Sequence, residues 1–226
     1  MGKFDQYISD KPSFDAFFKA VSDFSDQKLK GDVFERLTQI YLETMPEYRA
    51  QFRSVWIHTQ VPPKVRERIR LPVKDEGIDL IAETHEGNYW AIQSKFRSDQ
   101  DGALTRKSLS TFSSLVWSHC KHIEKSLVIH TSAKPIGKIS LMGNMVEIGL
   151  ERWLALSEED WLHIQDASKG KEIIYSKREP RPHQTQAISL AEKHFKTDME
   201  SRGRLTMPCG TGKSLTAFWI AEALDP

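Results

Sequence analysis

Along residues 13–24, SFDAFFKAVSDF, the apolar positions Phe14, Phe17, Phe18, Val21 and Phe24 recur every three or four residues behind Ser13. That spacing predicts a short docking helix capped by the serine. In the next segment, KGDVFERLTQIYLETM, a stripe of Phe34, Leu37, Tyr41 and Met45 predicts a second helix, with Asp32 and Glu35 spaced as a capping box at its start. Residues 52–61, FRSVWIHTQV, are β-branched and aromatic and are stopped by Pro62 and Pro63, which predicts a strand. Two further strands are predicted at 78–84 and 88–96, joined by the turn HEGN. Downstream, Leu109, Phe112, Val116, Cys120 and Ile123 share one helical face, residues 125–132 read as a buried strand, RWLAL as a strand and SEEDWLHI as a helix.

The element order α-α-β-β-β-α-β predicts an α/β fold with a central mixed sheet flanked by helices. Polar composition between 166 and 180 predicts a linker, so the first domain spans 1–165, the docking helix included. A second unit, 181–226, reads as a helix at 182–197, a short strand near RLTMP, a glycine-rich loop, and a helix from Lys213. Neither internal repeats nor low-complexity tracts interrupt this plan.

Charge changes the picture little. Thirty-two basic residues against 31 acidic ones give a net charge of +1, so any nucleic-acid partner must be met by a local surface. The basic run 64–74, with Arg97, Arg106 and Lys107, reads either as a phosphate track or as a solvated connection. Two cysteines in no zinc-like or paired pattern, no signal peptide and no long apolar span predict a cytoplasmic protein with no membrane partner. His130, inside a buried strand, reads as a packed residue.

Two sites carry candidate chemistry. In MPCGTGKS, a loop follows a short strand and opens a helix, as a phosphate loop must. Backbone N–H groups of Gly210, Thr211 and Gly212 would cradle phosphates, Lys213 would reach the β- and γ-phosphates, and the Ser214 hydroxyl would ligate Mg²⁺. Met207 stands where the general pattern has its first glycine. The stretch resembles motif I of superfamily 2 helicases, and RPHQTQAI resembles the glutamine motif of the same superfamily, which implies that Gln184 contacts the adenine. The same four residues, Arg181 to Gln184, also suit a helix start with proline in its first turn. A RecA-like motor needs further motifs, so the expectation is a partial P-loop element from a truncated ATPase domain.

The second site is the hairpin GIDLIAETHEGNYWAIQSKFR, where Asp79 faces a strand carrying Gln93 and Lys95 on one side. Carboxylate, amide and ammonium at a sheet end suit metal-assisted phosphodiester hydrolysis, whereas a cross-strand ion pair is the bland alternative. GIDLIA followed by AIQSK resembles the Mrr-like branch of the PD-(D/E)xK nucleases. That resemblance implies a restriction-endonuclease-like fold with Asp79 as principal metal ligand, Gln93 as a direct or water-mediated ligand, the Ser94 carbonyl facing the metal, Lys95 as catalytic lysine and Glu35 orienting a water. For Glu35 the capping box is the competing role. The sequence departs from the superfamily pattern in Ile78, in place of proline, and in Gln93, in place of an acid.

A nuclease ahead of a P-loop resembles the single-polypeptide type ISP restriction-modification enzymes. Motor subunits of type I restriction enzymes share that order. The resemblance implies a DNA endonuclease with little sequence preference of its own, using Mg²⁺ or Mn²⁺, with ATP and Mg²⁺ for the complete motor. Implied partners are double-stranded DNA and the remaining motor, methyltransferase and target-recognition domains of the same polypeptide. A catalytically inactive DNA-binding module is the alternative.

Overall fold

A computed structural model describes residues 2, 4–137, 144–175, 179–207 and 213–224. Two compact units divide the chain, Met1–Ile173 and Ile174–Pro226. The division falls inside the stretch read as a linker.

In the first unit, α1 (Gln6–Ser9) precedes α2 (Phe14–Ser22), where the Ser13 hydroxyl caps the first turn by accepting from Ala16 N at 3.2 Å. Helix α3 (Gln27–Thr44) starts earlier than its apolar stripe, because Gln27, Lys28, Leu29 and Lys30 are good helix formers and Asp26 caps them, accepting from Lys28 N at 2.8 Å. The expected capping box of Asp32 and Glu35 is therefore absent: both residues lie in the interior of α3, where no backbone N–H is left to cap.

Helix α4 (Pro46–Arg49) leads into β1 (Phe52–Ile57), which gives way to a 3₁₀ turn at His58–Gln60. The strand thus ends short of the expected residue 61, and the basic connection forms α5 (Pro63–Ile69), for the prolines preset φ for a helical first turn. Strands β2 (Leu80–Thr84) and β3 (Tyr89–Lys95) make the expected hairpin, with Gly87 at φ +84° in its turn. Next come α6 (Ser110–Ser114), extended by a π turn at Leu115–His119, then β4 (Ile123–His130) and β5 (Met145–Ile148).

RWLAL is not a strand. Its first three residues belong to α7 (Leu150–Leu154), because Leu150 and Trp153, three apart, are the buried pair, while Leu154 is 54% exposed. Helix α8 (Glu158–Ser168) is capped by Ser157, whose hydroxyl accepts from Asp160 N at 3.1 Å, and runs past residue 165.

The sheet order is β1-β2-β3-β4-β5, antiparallel across the first three strands and parallel across the last three. Period-two alternation splits each strand between two cores. Leu80, Ala82, Trp90, Ile92, Leu127 and Ile129 pack beneath the N-terminal and C-terminal helices, where Trp153 stacks on Phe14 at 5.2 Å and tilts against Tyr41 at 4.7 Å. On the opposite face Ile81, Ala91 and Val128 meet Leu109, Phe112, Val116 and Cys120, four of the five residues of the predicted stripe; Ile123 opens β4 instead. Helices thus cover both faces of a mixed sheet, as expected.

The second unit holds α9 (Pro182–Glu192), continued by a π turn at Lys193–Thr197, and α10 (Lys213–Leu224). Residues 202–207 form no strand, so the short strand expected near RLTMP is not seen among the described residues.

Candidate active site

Asp79 immediately precedes β2. Its backbone N–H donates to Ile92 O at 3.0 Å, and its carbonyl accepts from His58 N at 2.7 Å, so the strand's hydrogen bonding continues through it. Leu80 pairs with Ile92, and one further step of that antiparallel register sets Asp79 opposite Gln93, with Lys95 on the diagonal. All three therefore share the face of the second core.

The Asp79 side chain is 6% exposed, and Oδ2 accepts from Ser94 N at 2.6 Å. Burial pushes its pKa up to about 7, which the Ser94 N–H and the Lys95 charge oppose and Asp75 reinforces. Its other oxygen accepts no hydrogen bond among the described residues. Asp79 and Lys95 form no ion pair within 4.0 Å among the described residues, although the Lys95 charge still acts on the Asp79 carboxyl.

Gln93 is 3% exposed; its Nε2 donates to Gly77 O at 3.0 Å, while Oε1 is buried with no partner. An amide oxygen left this way costs about 1–3 kcal/mol unless something outside the chain satisfies it. Ser94 presents its backbone N–H to Asp79, and its hydroxyl turns to the other face, 3.1 Å from Thr38 Oγ1. Thr38 belongs to α3, so this contact registers the helix on β3 one turn beyond Glu35.

Glu35 is half-buried, and its pKa is pushed up to about 8 by burial, then by the charges of Asp79, Asp75 and Asp32, with Lys95 opposing. Helix α3 thus brings Glu35 into electrostatic reach of the hairpin, and its position within the helix frees it from any capping role. Among the described residues no three His, Cys, Asp or Glu side chains gather closely enough to hold a metal on their own. A cation here would need the Asp79 carboxylate, the orphaned Gln93 Oε1, backbone oxygen and water, a hard oxygen set suited to Mg²⁺ or Mn²⁺.

Sequence reasoning missed the brace behind Asp79. Arg66 of α5 donates from Nη1 to Pro72 O at 2.6 Å and from Nη2 to His58 O, tying the connection to the turn beside Asp79. It also missed the turn 75–77, where Asp75 Oδ1 accepts from Gly77 N at 2.9 Å and Gly77 sits at φ +118°. The Asp-x-Gly spacing was the available signal. Of the remaining basic run, Lys64, Arg68, Arg70 and Lys74 are exposed, with Arg68 over the Tyr89 ring at 5.7 Å. The side chain of Arg106 lies outside the described residues. His130 is fully buried, with Nε2 2.8 Å from Glu147 Oε1 and Nδ1 accepting from Ser132 N, a packed residue as expected.

In the second unit, Gly210, Thr211 and Gly212 lie outside the described residues, while Lys213 and Ser214 open α10 and are exposed. Gln184 is buried and its Oε1 accepts from Arg181 N at 2.9 Å, the helix-start geometry that its Pro182 neighbour suggested.

The restriction endonuclease family matches residues 43–170, more than half of the 226. The chain belongs to the restriction endonuclease family. The matched span contains Asp79, Gln93, Ser94 and Lys95, and begins after Glu35. Residues 177–226 match a second family, the res subunit of type III restriction enzymes, over the span that carries the Gly-Lys-Ser sequence at 212–214. Among solved structures, the chain is similar to the ATP-dependent type ISP restriction-modification enzyme LlaBIII bound to DNA, with a TM-score of 0.65 and 24% identity over 95% of this chain. It spans 13% of that enzyme's length. This likeness shows a shared restriction-endonuclease-like fold. A crystal structure of the protein of unknown function AF1548 covers 84% of this chain and 96% of its own at 13% identity and a TM-score of 0.31, too low to carry an argument. No curated protein matches the chain. Among the described residues no helix is long and apolar enough to cross a membrane.

Proposed function

We propose that residues 1–165 are a metal-dependent DNA endonuclease domain with little sequence preference of its own, joined through 166–180 to the start of a helicase-like ATPase in a type ISP restriction-modification enzyme. The observation that carries this reading is the pair of buried oxygen groups at the hairpin: Asp79 with one oxygen fixed by Ser94 N–H, and Gln93 Oε1 with no partner. Burying both is costly unless they serve a cation.

When bound, Mg²⁺ or Mn²⁺ supplies Lewis acidity toward a phosphate and its water. Asp79 and Gln93 Oε1 would hold that ion, with the Ser94 carbonyl as a third protein oxygen. Lys95, which makes no ion pair among the described residues, keeps its ammonium for the negative charge that develops on phosphate during attack. Glu35, whose carboxyl is pushed up to about 8 by burial and by the neighbouring acids, would orient the attacking water. The ATPase side rests on the Gly210–Ser214 loop and on the match at 177–226, with ATP and Mg²⁺ as its cofactors and Gln184 toward the adenine. Double-stranded DNA, the remainder of the motor, a methyltransferase and a target-recognition domain are the partners this reading assigns.

The test is nicking of supercoiled plasmid by the chain in Mg²⁺, Mn²⁺ or EDTA, wild type beside Lys95→Ala. Metal-dependent nicking that falls by about 10²–10³ in the variant is the expected result. Salt-sensitive DNA binding with no metal-dependent cleavage, in this chain and in the protein that carries the whole motor, would identify an inactive DNA-binding module instead.

A further inference from the structure

We propose that Arg97 is a phosphate-binding residue of the nuclease site, its guanidinium holding a backbone phosphate of the DNA beside the one that Lys95 serves. The inference rests on the nuclease reading above and deepens it with a substrate contact that neither the hairpin pattern nor its resemblance marks.

Side chains alternate along β3, and the alternation continues past Lys95. Phe96 turns to the first core, its ring 5.7 Å from that of Phe34 and 5.3 Å from that of Phe18. Arg97 therefore returns to the face that carries Gln93 and Lys95. Residues two apart on a strand stand about 6.6 Å from each other, a step that lets the two cations serve different phosphates of one DNA strand.

The chain fastens Arg97 and the loop after it at every second residue or closer. Arg97 N donates to Thr131 Oγ1 at 2.7 Å, and Arg97 O accepts from the same hydroxyl at 3.0 Å. Ser98 Oγ lies 3.0 Å from Lys30 Nζ, Gln100 O accepts from Ala133 N at 2.8 Å, and Gly102 O accepts from Ser132 Oγ at 2.6 Å. Lys30 is buried and makes no ion pair among the described residues, so the fold bears the cost of a desolvated ammonium to hold this loop. The guanidinium so placed is left open. Arg97 Nε is buried with no partner, and the group enters no ion pair among the described residues, Asp99 included. It lies over Gly102, where a Cβ would come within 2.6 Å of Nη2. A buried donor without a partner is costly unless something outside the chain satisfies it, and a planar fork of N–H groups matches the oxygens of a phosphate.

The test is fluorescence anisotropy of duplex DNA bound by the full chain in EDTA over a range of KCl, with wild type, Arg97→Ala, Arg97→Lys and Lys19→Ala, which removes an exposed cation of α2. Arg97→Ala is expected to weaken binding about tenfold on duplexes of any sequence. It should also make the slope of log K against log [KCl] shallower by about 0.9, the share of one phosphate contact. Arg97→Lys, which keeps the charge and loses the fork, should restore the slope but only part of the affinity. In Mn²⁺ nicking assays the Arg97→Ala defect should lie in the DNA concentration that gives half-maximal rate, and that of Lys95→Ala in the maximal rate. A slope in Arg97→Ala equal to that of wild type, or a shift no larger than in Lys19→Ala, would overturn the proposal and leave the nuclease reading intact. The expected slope shift, found together with metal-dependent nicking as fast in Lys95→Ala as in wild type, would overturn the nuclease reading and leave Arg97 as a DNA contact.

Discussion

Replacing Asp79 with asparagine is expected to make the metal-free protein more stable at pH 8 while abolishing cleavage. The carboxyl is raised from an ordinary 3.8 to about 7, chiefly by burial. At 1.36 kcal/mol per unit, ionising it in the folded state costs about 4 kcal/mol, an upper figure because water can relax around the charge. The folded pKa lies above the unfolded one, so the folded state binds the proton more tightly. Its stabilising share is complete below about pH 4 and disappears as the pH rises through about 7. Asparagine has no charge to desolvate and still offers an oxygen to Ser94 N. At pH 8 in EDTA the variant should therefore gain a melting increment on the order of 10 °C, at about 2–4 °C per kcal/mol for a chain of this size. At pH 4 the two proteins should melt together. Differential scanning calorimetry at both pH values reads the difference directly. Equal destabilisation of the variant at both would mean that Asp79 is a structural residue whose charge the fold needs, and the reasoning would fail.

Other expectations follow from the same geometry. Glutamate at Gln93 should bind Mn²⁺ more tightly but lower metal-free stability, since a carboxylate cannot donate to Gly77 O; calorimetry and melting in EDTA report the two effects with opposite signs. Glu35→Gln should slow metal-dependent nicking and flatten its pH profile near pH 8 while leaving the melting cooperative, because α3 does not use Glu35 as a cap. Phe34→Ala should cost about 3–5 kcal/mol in urea unfolding, for Phe34 is fully buried beside Trp153 at 5.4 Å. Ser13→Ala, which removes the cap of α2, should cost only about 1 kcal/mol.

Where one physical signal dominated, the sequence was legible. Period-two runs with a Gly turn located the hairpin within two residues, and its alternation put Asp79, Gln93 and Lys95 on one face before any coordinates. The stripe of α2 and its serine cap were equally plain. Errors arose where one pattern serves two structures. Trp153 to Leu156 form a short apolar run that suits a buried strand as well as a helix, yet only the i, i+3 pair Leu150 and Trp153 is buried. Pro62 and Pro63, read as the stop of a strand, instead start α5, while β1 ends at Ile57 before a 3₁₀ turn. The start of α3 was placed too late because its first turn carries little apolar signal, and that error gave Glu35 a false competing role. The orphaned Gln93 Oε1 and the bond from Gln93 Nε2 to Gly77 O are tertiary facts, set by which groups meet across the sheet, and no local pattern encodes them.

The most direct measurement is the anomalous scattering of crystals of the chain grown with Mn²⁺. The account expects one peak between the free oxygen of Asp79 and Gln93 Oε1, lost in Asp79→Asn crystals grown under the same conditions. Well-ordered crystals with no peak there, and with Gln93 Oε1 bonded to a protein donor instead, would contradict it.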